Sequence, residues 1–414
     1  MTFYRFSQWT AWALASFFYA YQYVLRVLPN ILMPDIMNKF QIDAAAFGQF
    51  SGFYYIGYAG AHIPLGILFD RVGPKIIMPL CIVMTTLGLM PLIYTDLWIY
   101  PCLGRILIGV GSSGAILGVF KIIRMNFPES HFTRMLGISV MIGLLGAIYG
   151  GWPVNVLLDH LGCTKVLFCL MVIGLGLGGL FFLMIPRLAL EKEVISRNIL
   201  GDIKAVLGNK KLLLVCVLGG FMVGPLEGFA DVWGTTFLKC VYGFDQSLAS
   251  GLPSIIFSGM LIGSPLLSYV ADKTKSYYFI IILSALGMGS SFVFILSGLG
   301  DVRSLSILFW IVGVLCAYQI LVIYKASSFV NSHLTGLSTA VANMIIMIFG
   351  YVFHTLIGKS LSLFGGSTLS GDIYSYGKES FIMSLSFIPA GLFLGGLGFI
   401  MFVLFEKKGA QKHV

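Results

Sequence analysis

Charged residues are scarce in this sequence. Only 10% of its 414 residues are Asp, Glu, Lys or Arg, whereas an ordinary soluble domain carries about 25%. The mean hydropathy is +0.93, and 58% of the residues are hydrophobic. Together these values exclude a soluble globular protein and indicate an integral membrane protein.

Motifs that would suggest an enzyme are also missing. The seven cysteines include no Cys-x-x-Cys pair, so neither a disulfide framework nor a zinc site is predicted. No cluster of metal ligands and no nucleophile with an adjacent base stands out, and Gly358-Lys359-Ser360 is only a fragment of a phosphate loop. We therefore predict that the protein is not an enzyme and has no cofactor.

Twelve long apolar runs fill the chain instead. A helix needs about 20 apolar residues to cross a bilayer, and the runs do not alternate apolar with polar residues as the strands of a β-barrel do. The sequence therefore predicts an all-α integral membrane protein with twelve transmembrane helices. The runs cover residues 10–34, 46–69, 76–94, 98–126, 135–158, 163–185, 212–238, 248–271, 278–298, 305–330, 336–358 and 381–405.

The basic residues are unevenly placed along the chain. With the N-terminus inside, 16 of the 26 Lys and Arg residues fall in cytoplasmic segments or at the cytoplasmic ends of runs, six in outer segments or at the outer ends of runs, and four deeper within the runs. This distribution is the positive-inside bias of membrane proteins, so the pI near 9.1 requires no nucleic-acid partner. We expect a multi-pass protein of a bacterial cytoplasmic (inner) membrane with both termini in the cytoplasm.

The most informative polar segment ends the second apolar run. It has the sequence Gly66-Ile67-Leu68-Phe69-Asp70-Arg71-Val72-Gly73-Pro74-Lys75. This segment resembles the signature between the second and third helices of major facilitator superfamily transporters. The resemblance implies a conformational latch, in which an aspartate near a helix N-terminus biases a two-state equilibrium. The predicted latch residues are Gly66, Asp70, Arg71 and Gly73.

A weaker copy of the signature ends the eighth run. In Ser268-Tyr269-Val270-Ala271-Asp272-Lys273-Thr274-Lys275, Asp272 lies 202 residues after Asp70, and we assign Asp272 and Lys273 to the latch of the second half. In this superfamily two six-helix halves form a parallel repeat with the solute path between them. The resemblance therefore predicts two pseudo-symmetric six-helix halves. The expected domains are an N-terminal bundle, 1–186, a cytoplasmic linker, 187–211, and a C-terminal bundle, 212–414.

Glycines are frequent in the fourth apolar run. The pattern Gly109-x-Gly111-x-x-Gly114 imitates a dinucleotide-binding fingerprint, but that fingerprint requires a preceding strand, and this one lies in an apolar helix. Close helix packing through small residues is the better interpretation. The stretch also resembles the arginine-plus-glycine motif of the superfamily's fourth helix.

Ionisable residues within the runs are the best candidates for a solute site, because each costs a few kcal/mol at the bilayer centre. Arg26 lies in the first run, and Glu227 and Asp231 stand four residues apart on one face of the seventh helix. Two carboxylates on one face require a cavity, a cation or a proton. The repeat offset brings Arg26 to the level of Glu227, so we expect opposite charges to meet across the central cavity.

The sequence leaves the role of these charges open. Arg26 and the acids form either an outer gate that breaks and reforms or the two ends of a site for a zwitterion. A static ion pair and an arginine that snorkels to the headgroups are the alternatives. The Tyr23-x-x-Arg26 stretch is similar to helix one of the organophosphate antiporter branch, and this resemblance implies that Arg26 binds an anionic substrate.

Three further basic residues lie within the runs. By resemblance, Arg105 is a candidate for proton coupling or substrate contact, and a helix–helix hydrogen bond to backbone carbonyls is the alternative. Lys121 and Lys325 lie 204 residues apart. Snorkelling is the favoured interpretation of both, and substrate binding is the other.

Less specific candidates complete the predicted site. Because an unperturbed histidine changes charge near neutral pH, His354 joins Glu227 and Asp231 as a candidate proton site, with ordinary packing as the alternative. Tyr23, Tyr149 and Asn343 are expected to line the solute cavity, unless they serve packing or the interfacial belt.

Transport of a small molecule is the expected function. The mixed charges favour a small organic anion or zwitterion, such as an amino acid, short peptide or carboxylate, and resemble the dipeptide-transporting branch in this respect. Rocker-switch alternating access would carry it, either coupled to protons or facilitative. The alternatives are a drug or siderophore exporter of the same superfamily and a non-transporting membrane sensor. The expected partners are the solute, the lipid bilayer and protons, and the chain is expected to be a monomer.

Overall fold

A computed structural model describes residues 2–185, 199–331, 334–365, 368–369 and 374–411. The chain divides into two compact units, Met1–Arg197 and Asn198–Val414, and each is described by itself. The division falls inside the predicted linker, of which residues 187–198 lie outside the described residues.

Helices are the only regular elements among the described residues of the first unit. Its helices are α1 Thr2–Val27, α2 Pro29–Phe40, α3 Ala44–Arg71, α4 Pro74–Leu87, α5 Met90–Tyr94, α6 Ile99–Asn126, α7 Glu129–Tyr149, α8 Trp152–Leu161 and α9 Cys163–Met184.

The second unit adds a π-helix and one small hairpin to its helices. Strands β1 (Thr368–Leu369) and β2 (Tyr374–Ser375) pair antiparallel, with Thr368 opposite Ser375. The helices are α10 Ile199–Leu207, α11 Lys210–Gly220, the π-helix Gly224–Trp233, α12 Gly234–Tyr242, α13 Gln246–Gly251, α14 Ser254–Thr274, α15 Tyr277–Leu296, α16 Val302–Cys316, α17 Tyr318–Ser327, α18 Thr335–Phe364, α19 Lys378–Leu385 and α20 Phe387–Gln411.

These helices confirm the all-α membrane fold. Among the described residues, nine helical segments are long and apolar enough to cross a bilayer, and a pair bent by 41°, Lys210–Gly220 with Gly224–Tyr242, passes as a tenth. The first and second predicted spans correspond to α1 and α3, which are not among these. At 1.5 Å per residue their 26 and 28 residues extend for about 39 and 42 Å, more than the ~30 Å of a hydrocarbon core. The count of twelve therefore stays a prediction for these two, whose polar residues, Arg26 and His62 among them, lower the hydropathy.

A glycine seam joins helices in the first unit. A Cβ at Gly57 of α3 would collide with the Ile106 carbonyl of α6, and a Cβ at Gly109 would collide with the Tyr54 carbonyl. Gly111 lies equally close to the Cys81 carbonyl of α4. This packing agrees with the small-residue interpretation of the fourth run, because backbone meets backbone there.

The second unit repeats this seam. A Cβ at Gly259 of α14 would collide with the Trp310 carbonyl of α16, and one at Gly313 would collide with the Ile256 carbonyl. Gly259 follows Gly57 by 202 residues, the offset that separates the two signature aspartates. The internal repeat therefore extends from the polar signature to helix packing.

A capping box begins α16. The Asp301 carboxylate accepts the Ser304 N–H at 3.0 Å, and the Asp301 N–H donates to Ser304 Oγ at 3.0 Å. Hydrogen bonding by the Ser304 side chain and backbone lowers the pKa of Asp301, which lies just outside the span. A carboxyl whose pKa is lowered by folding stabilises the fold above its unfolded pKa of about 3.9, and that stability is lost as the pH falls through the folded pKa.

Replacing this cap is expected to lower thermal stability in a pH-dependent way. Asp301→Ala leaves an N-terminal N–H of α16 without its acceptor, so the melting temperature in detergent should fall at neutral pH, and the difference from wild type should shrink below about pH 4. Asp301→Asn keeps a capping oxygen and is the matched control. A difference in melting temperature between wild type and Asp301→Ala that grows as the pH falls would contradict the capping role of Asp301.

Candidate solute site

The first unit buries Arg26 near the end of α1. The residue is 6% exposed, and its guanidinium carbon lies 5.3 Å from the ring centroid of Tyr23 and 5.4 Å from that of Tyr55. Cations over aromatic faces are attracted more strongly when water is excluded. Protein covers this side chain, which argues against the snorkelling interpretation. Tyr23 belongs to the same cluster, and its role in the solute cavity stays a prediction.

A second buried arginine, Arg105 on α6, faces the same turn of α1. It is 3% exposed, with Nη1 donating to the Leu25 carbonyl and Nη2 to the Arg26 carbonyl, both at 2.8 Å. The helix–helix hydrogen bond to backbone carbonyls is therefore present in the structure. A substrate contact by Arg105 stays a prediction.

Aromatic and amide groups connect the two arginines. The Tyr54 ring lies 5.0 Å from the Arg105 guanidinium carbon, and the Tyr54 hydroxyl donates to Gln22 Oε1 at 2.9 Å. Gln22 lies on α1 and is buried. The arrangement is a dense polar cluster inside a helical bundle.

Sequence reasoning missed His62, which continues this aromatic row along α3. Tyr54, Tyr58 and His62 follow one another at four-residue intervals, with centroids 6.0 and 5.4 Å apart. His62 is buried, and its Nδ1 lies 2.9 Å from Ser113 Oγ of α6. The i, i+4 repeat of polar aromatics in an apolar run was the available signal.

The signature aspartate forms an ion pair within the same unit. Lys121 Nζ of α6 lies 2.9 Å from Asp70 Oδ1 of α3, with the side chains 13% and 44% exposed respectively. The structure thus adds a specific acidic partner to the interpretation of Lys121 as a snorkelling residue, which stays a prediction. Substrate binding by Lys121 stays a prediction.

Gly73 shapes the turn that follows the signature. It has φ 89°, a conformation that favours glycine, and it directly precedes Pro74, the first residue of α4. The structure thus gives the signature glycine a backbone role. Gly66 borders open space, and Arg71 is exposed.

The second unit buries the predicted acid pair in the π-helix. Glu227 and Asp231 are each 1% exposed. Gln319 Nε2 of α17 lies 3.2 and 3.3 Å from the two carboxylate oxygens of Glu227. Sequence reasoning missed Gln319, because an amide in an apolar run is less conspicuous than a charge.

The π-helix begins with a glycine and a proline. Pro225 lies in its first turn, where a missing N–H costs no helical hydrogen bond, and Gly224 allows close approach to Phe353 of α18. The π-helix uses wider hydrogen-bonded turns than an α-helix, and π-bulges are frequent at functional sites. Here it carries both buried carboxylates.

The second copy of the signature uses different partners. The Tyr277 hydroxyl donates to Asp272 Oδ1 at 2.6 Å. Lys325 Nζ lies 5.0 Å from the Tyr278 ring centroid and 5.9 Å from that of Tyr277. Lys273 lies over the Tyr269 ring at 5.9 Å. Tyrosines therefore surround the Lys325 ammonium, where the first unit has an ion pair.

The family follows from comparison with known proteins. Residues 12–354 match the model of the Major Facilitator Superfamily. This chain belongs to the major facilitator superfamily. It is therefore a multi-pass membrane transporter of small molecules, and not an enzyme.

Relatives of this superfamily member match it over different shares of its length. It is 25% identical over 451 aligned positions to the uncharacterized transporter YybO of Bacillus subtilis, with 97% of this chain and 95% of YybO covered. It is 27% identical to the putative metabolite transport protein NicT of Pseudomonas putida over 33% of this chain and 31% of NicT.

Solved structures share the fold of this superfamily member. An inward-facing, unoccupied bacterial homologue of the human lysosomal transporter Spinster superposes with a TM-score of 0.75 at 14% identity, covering 96% of this chain and 98% of that one. A D-xylose–proton symporter superposes with a TM-score of 0.69 at 16% identity, covering 94% and 97%. At these identities the likeness concerns the fold alone.

Three further predicted residues of this superfamily member lie on α7 and α18. His354 of α18 is fully buried, Asn343 of the same helix is half-buried, and Tyr149 is 61% exposed at the last residue of α7. The structure does not bring Tyr149 into the Arg26 cluster. Roles for these residues in the solute cavity or in proton transfer stay predictions.

Proposed function

We propose that this superfamily member is a secondary transporter of a small organic anion or zwitterion, such as an amino acid, short peptide or carboxylate. The observation that carries the proposal is the buried Arg26 guanidinium, stacked on Tyr23 and Tyr55. A fixed guanidinium in an apolar environment is suited to bind a carboxylate through paired hydrogen bonds. A drug or siderophore exporter would instead favour an apolar cavity, and a buried arginine does not support that function.

The acid pair of the second unit supports proton coupling. Burial of Glu227 and Asp231 in a low-dielectric setting makes two simultaneous charges unfavourable. A proton or the cationic end of a zwitterion relieves that repulsion. We therefore assign the proton site to Glu227 or Asp231, with His354 as a further candidate.

Alternating access would use the two six-helix bundles, 1–186 and 212–414, joined by the linker 187–211. The compact units of the structure support this division. The signature residues at Asp70 and Asp272 would bias the equilibrium of states, as local contacts that differ between two conformations do. We expect a monomer in a bacterial inner membrane with both termini cytoplasmic.

Counterflow in proteoliposomes tests the proposal directly. Vesicles loaded with unlabelled alanine, alanylalanine or succinate are diluted into the matching radiolabelled solute, and uptake is compared with that of protein-free vesicles. We expect at least one solute to exchange, and an inward proton gradient to drive its accumulation. Export of an apolar cationic dye without exchange of any panel solute would favour the drug exporter instead.

The Asp70–Lys121 pair gives a separate prediction. Because the pair is only partly buried, each single change, Asp70→Asn or Lys121→Gln, should slow counterflow by about 5-fold, which corresponds to ~1 kcal/mol. The charge-reversed double variant, Asp70→Lys with Lys121→Asp, should recover most of the rate.

The matched control for this pair is the exposed Asp96, whose replacement by Asn should have little effect. A reversed pair no faster than the slower single variant would show that the charges act through other partners.

A further inference from the structure

The end of α1 is broken by a proline. In a regular helix the Leu25 carbonyl would accept the N–H of the residue four positions later, but that residue is Pro29, which has no N–H. Further along, the Ile31 N–H donates to the Leu28 carbonyl at 3.2 Å, as in a tighter turn. The helical ladder is therefore interrupted next to Arg26.

Arg105 supplies the donor that Pro29 removes. Its Nη1 donates to the Leu25 carbonyl and its Nη2 to the Arg26 carbonyl, both at 2.8 Å. Two nitrogens of one planar guanidinium thus hold consecutive carbonyls, a geometry that the single ammonium of lysine does not reproduce. The rings of Tyr54 and Phe50 lie 5.0 and 5.9 Å from its guanidinium carbon and confine it.

One of the two carbonyls that Arg105 binds belongs to Arg26, the residue proposed to bind the solute. The direction of the Arg26 side chain follows from the backbone of that turn, and its guanidinium lies over Tyr23 and Tyr55. We infer that Arg105 is a positioning residue: it replaces the hydrogen bond that Pro29 removes and so fixes the turn that aims Arg26. The clamp itself is independent of the proposed function, whereas its effect on affinity rests on it.

A cycle of four proteins tests the clamp without any solute: wild type, Pro29→Ala, Arg105→Gln and the double variant. Hydrogen–deuterium exchange of the peptide spanning residues 24–33 is measured on purified protein in detergent. Loss of the guanidinium should speed exchange there by about 10-fold. Pro29→Ala restores an N–H to the Leu25 carbonyl, so the double variant should return most of the way to wild type.

The matched control is the second proline of α2. Pro34 lies inside the same helix, but it is not four residues after Leu25. Pro34→Ala combined with Arg105→Gln should therefore remain as unprotected as Arg105→Gln alone. The inference would be overturned if Pro29→Ala and Pro34→Ala restored protection from exchange equally, or if neither restored it.

Counterflow provides the functional arm. For whichever of alanine, alanylalanine or succinate the wild type exchanges, Arg105→Gln should raise KM by about 10-fold with a smaller change in maximal rate. Pro29→Ala should recover KM in the double variant, and Arg105→Lys should be intermediate. An Arg105 that touches the solute directly would show no recovery by Pro29→Ala, and that result would overturn the positioning role.

The two arms separate the two ideas. If the wild type transports none of the three solutes in counterflow, the proposed function fails. The hydrogen–deuterium exchange of the four proteins still tests whether Arg105 replaces the hydrogen bond that Pro29 removes. If Arg105→Gln does not accumulate in the membrane, protein yield and thermal stability are compared instead. Pro29→Ala must then restore both, and failure to do so contradicts the inference.

Discussion

Arg26→Lys is expected to reduce counterflow of the anionic or zwitterionic solute by about 100-fold. Lysine keeps the positive charge but loses the planar fork that binds a carboxylate through two hydrogen bonds. It also loses stacking on Tyr23 and Tyr55, which lie 5.3 and 5.4 Å from the guanidinium carbon. Hydrogen bonds to charged groups contribute about 1.5–3 kcal/mol each, so a loss of ~2.7 kcal/mol corresponds to this factor.

The control for this variant is Arg303→Lys, which makes the same chemical change at an exposed position of α16. Both proteins are reconstituted at equal density, and initial counterflow rates are compared over a range of solute concentrations. Because the control retains the Arg26 cluster, its rate should match wild type. A rate for Arg26→Lys within about 2-fold of wild type would remove Arg26 from the solute site.

The second large effect is expected at Glu227. Glu227→Gln should abolish accumulation driven by a proton gradient while counterflow persists, because exchange of solute for solute requires no net proton movement. The side chain keeps its size and lies beside Gln319 Nε2, 3.2 Å from Oε1 in the native protein. Proton uptake is followed with a pH-sensitive dye inside the vesicles, together with radiolabelled solute.

Two companion variants sharpen that result. Asp231→Asn shows whether the second carboxylate of the π-helix carries the proton instead, since both are 1% exposed. Glu379→Gln makes the same change as Glu227→Gln at an exposed position and should behave as wild type. Proton-driven accumulation that survives in both Glu227→Gln and Asp231→Asn would exclude the acid pair as an essential proton site.

Rarity made part of the site predictable from sequence. A charge within a long apolar run is unfavourable in a bilayer, so Arg26, Glu227 and Asp231 stood out without any structure. The structure finds all three buried. The signature around Asp70 was equally visible, because its polar residues and its Gly-Pro turn are contiguous in the chain.

Partners distant in sequence were not predictable in the same way. Lys121 forms an ion pair with Asp70, which lies 51 residues earlier in the chain, and Gln319 forms a hydrogen bond with Glu227, which lies 92 residues earlier. Each contact depends on which helix faces which, and apolar periodicity does not specify that. The interpretation of Lys121 as a snorkelling residue therefore did not include its pair with Asp70.

Backbone irregularity was also hidden from sequence reasoning. Pro29 was visible, but the carbonyl that it leaves free of a helical partner becomes meaningful only once Arg105 is known to face it. The π-helix at Gly224–Trp233 likewise depends on a hydrogen-bond register. Composition alone predicts an ordinary apolar helix at both places.

The two glycine seams have a mechanical consequence. Where Gly57 meets α6 and Gly259 meets α16, main chain rests on main chain, so no side chain there can change rotamer to absorb a deformation. Each seam is therefore a stiff part of its unit, as close-packed protein interiors transmit strain. Deformation of either unit during the transport cycle is therefore expected outside its seam, at breaks in the helical ladder such as the π-helix that carries Glu227 and Asp231.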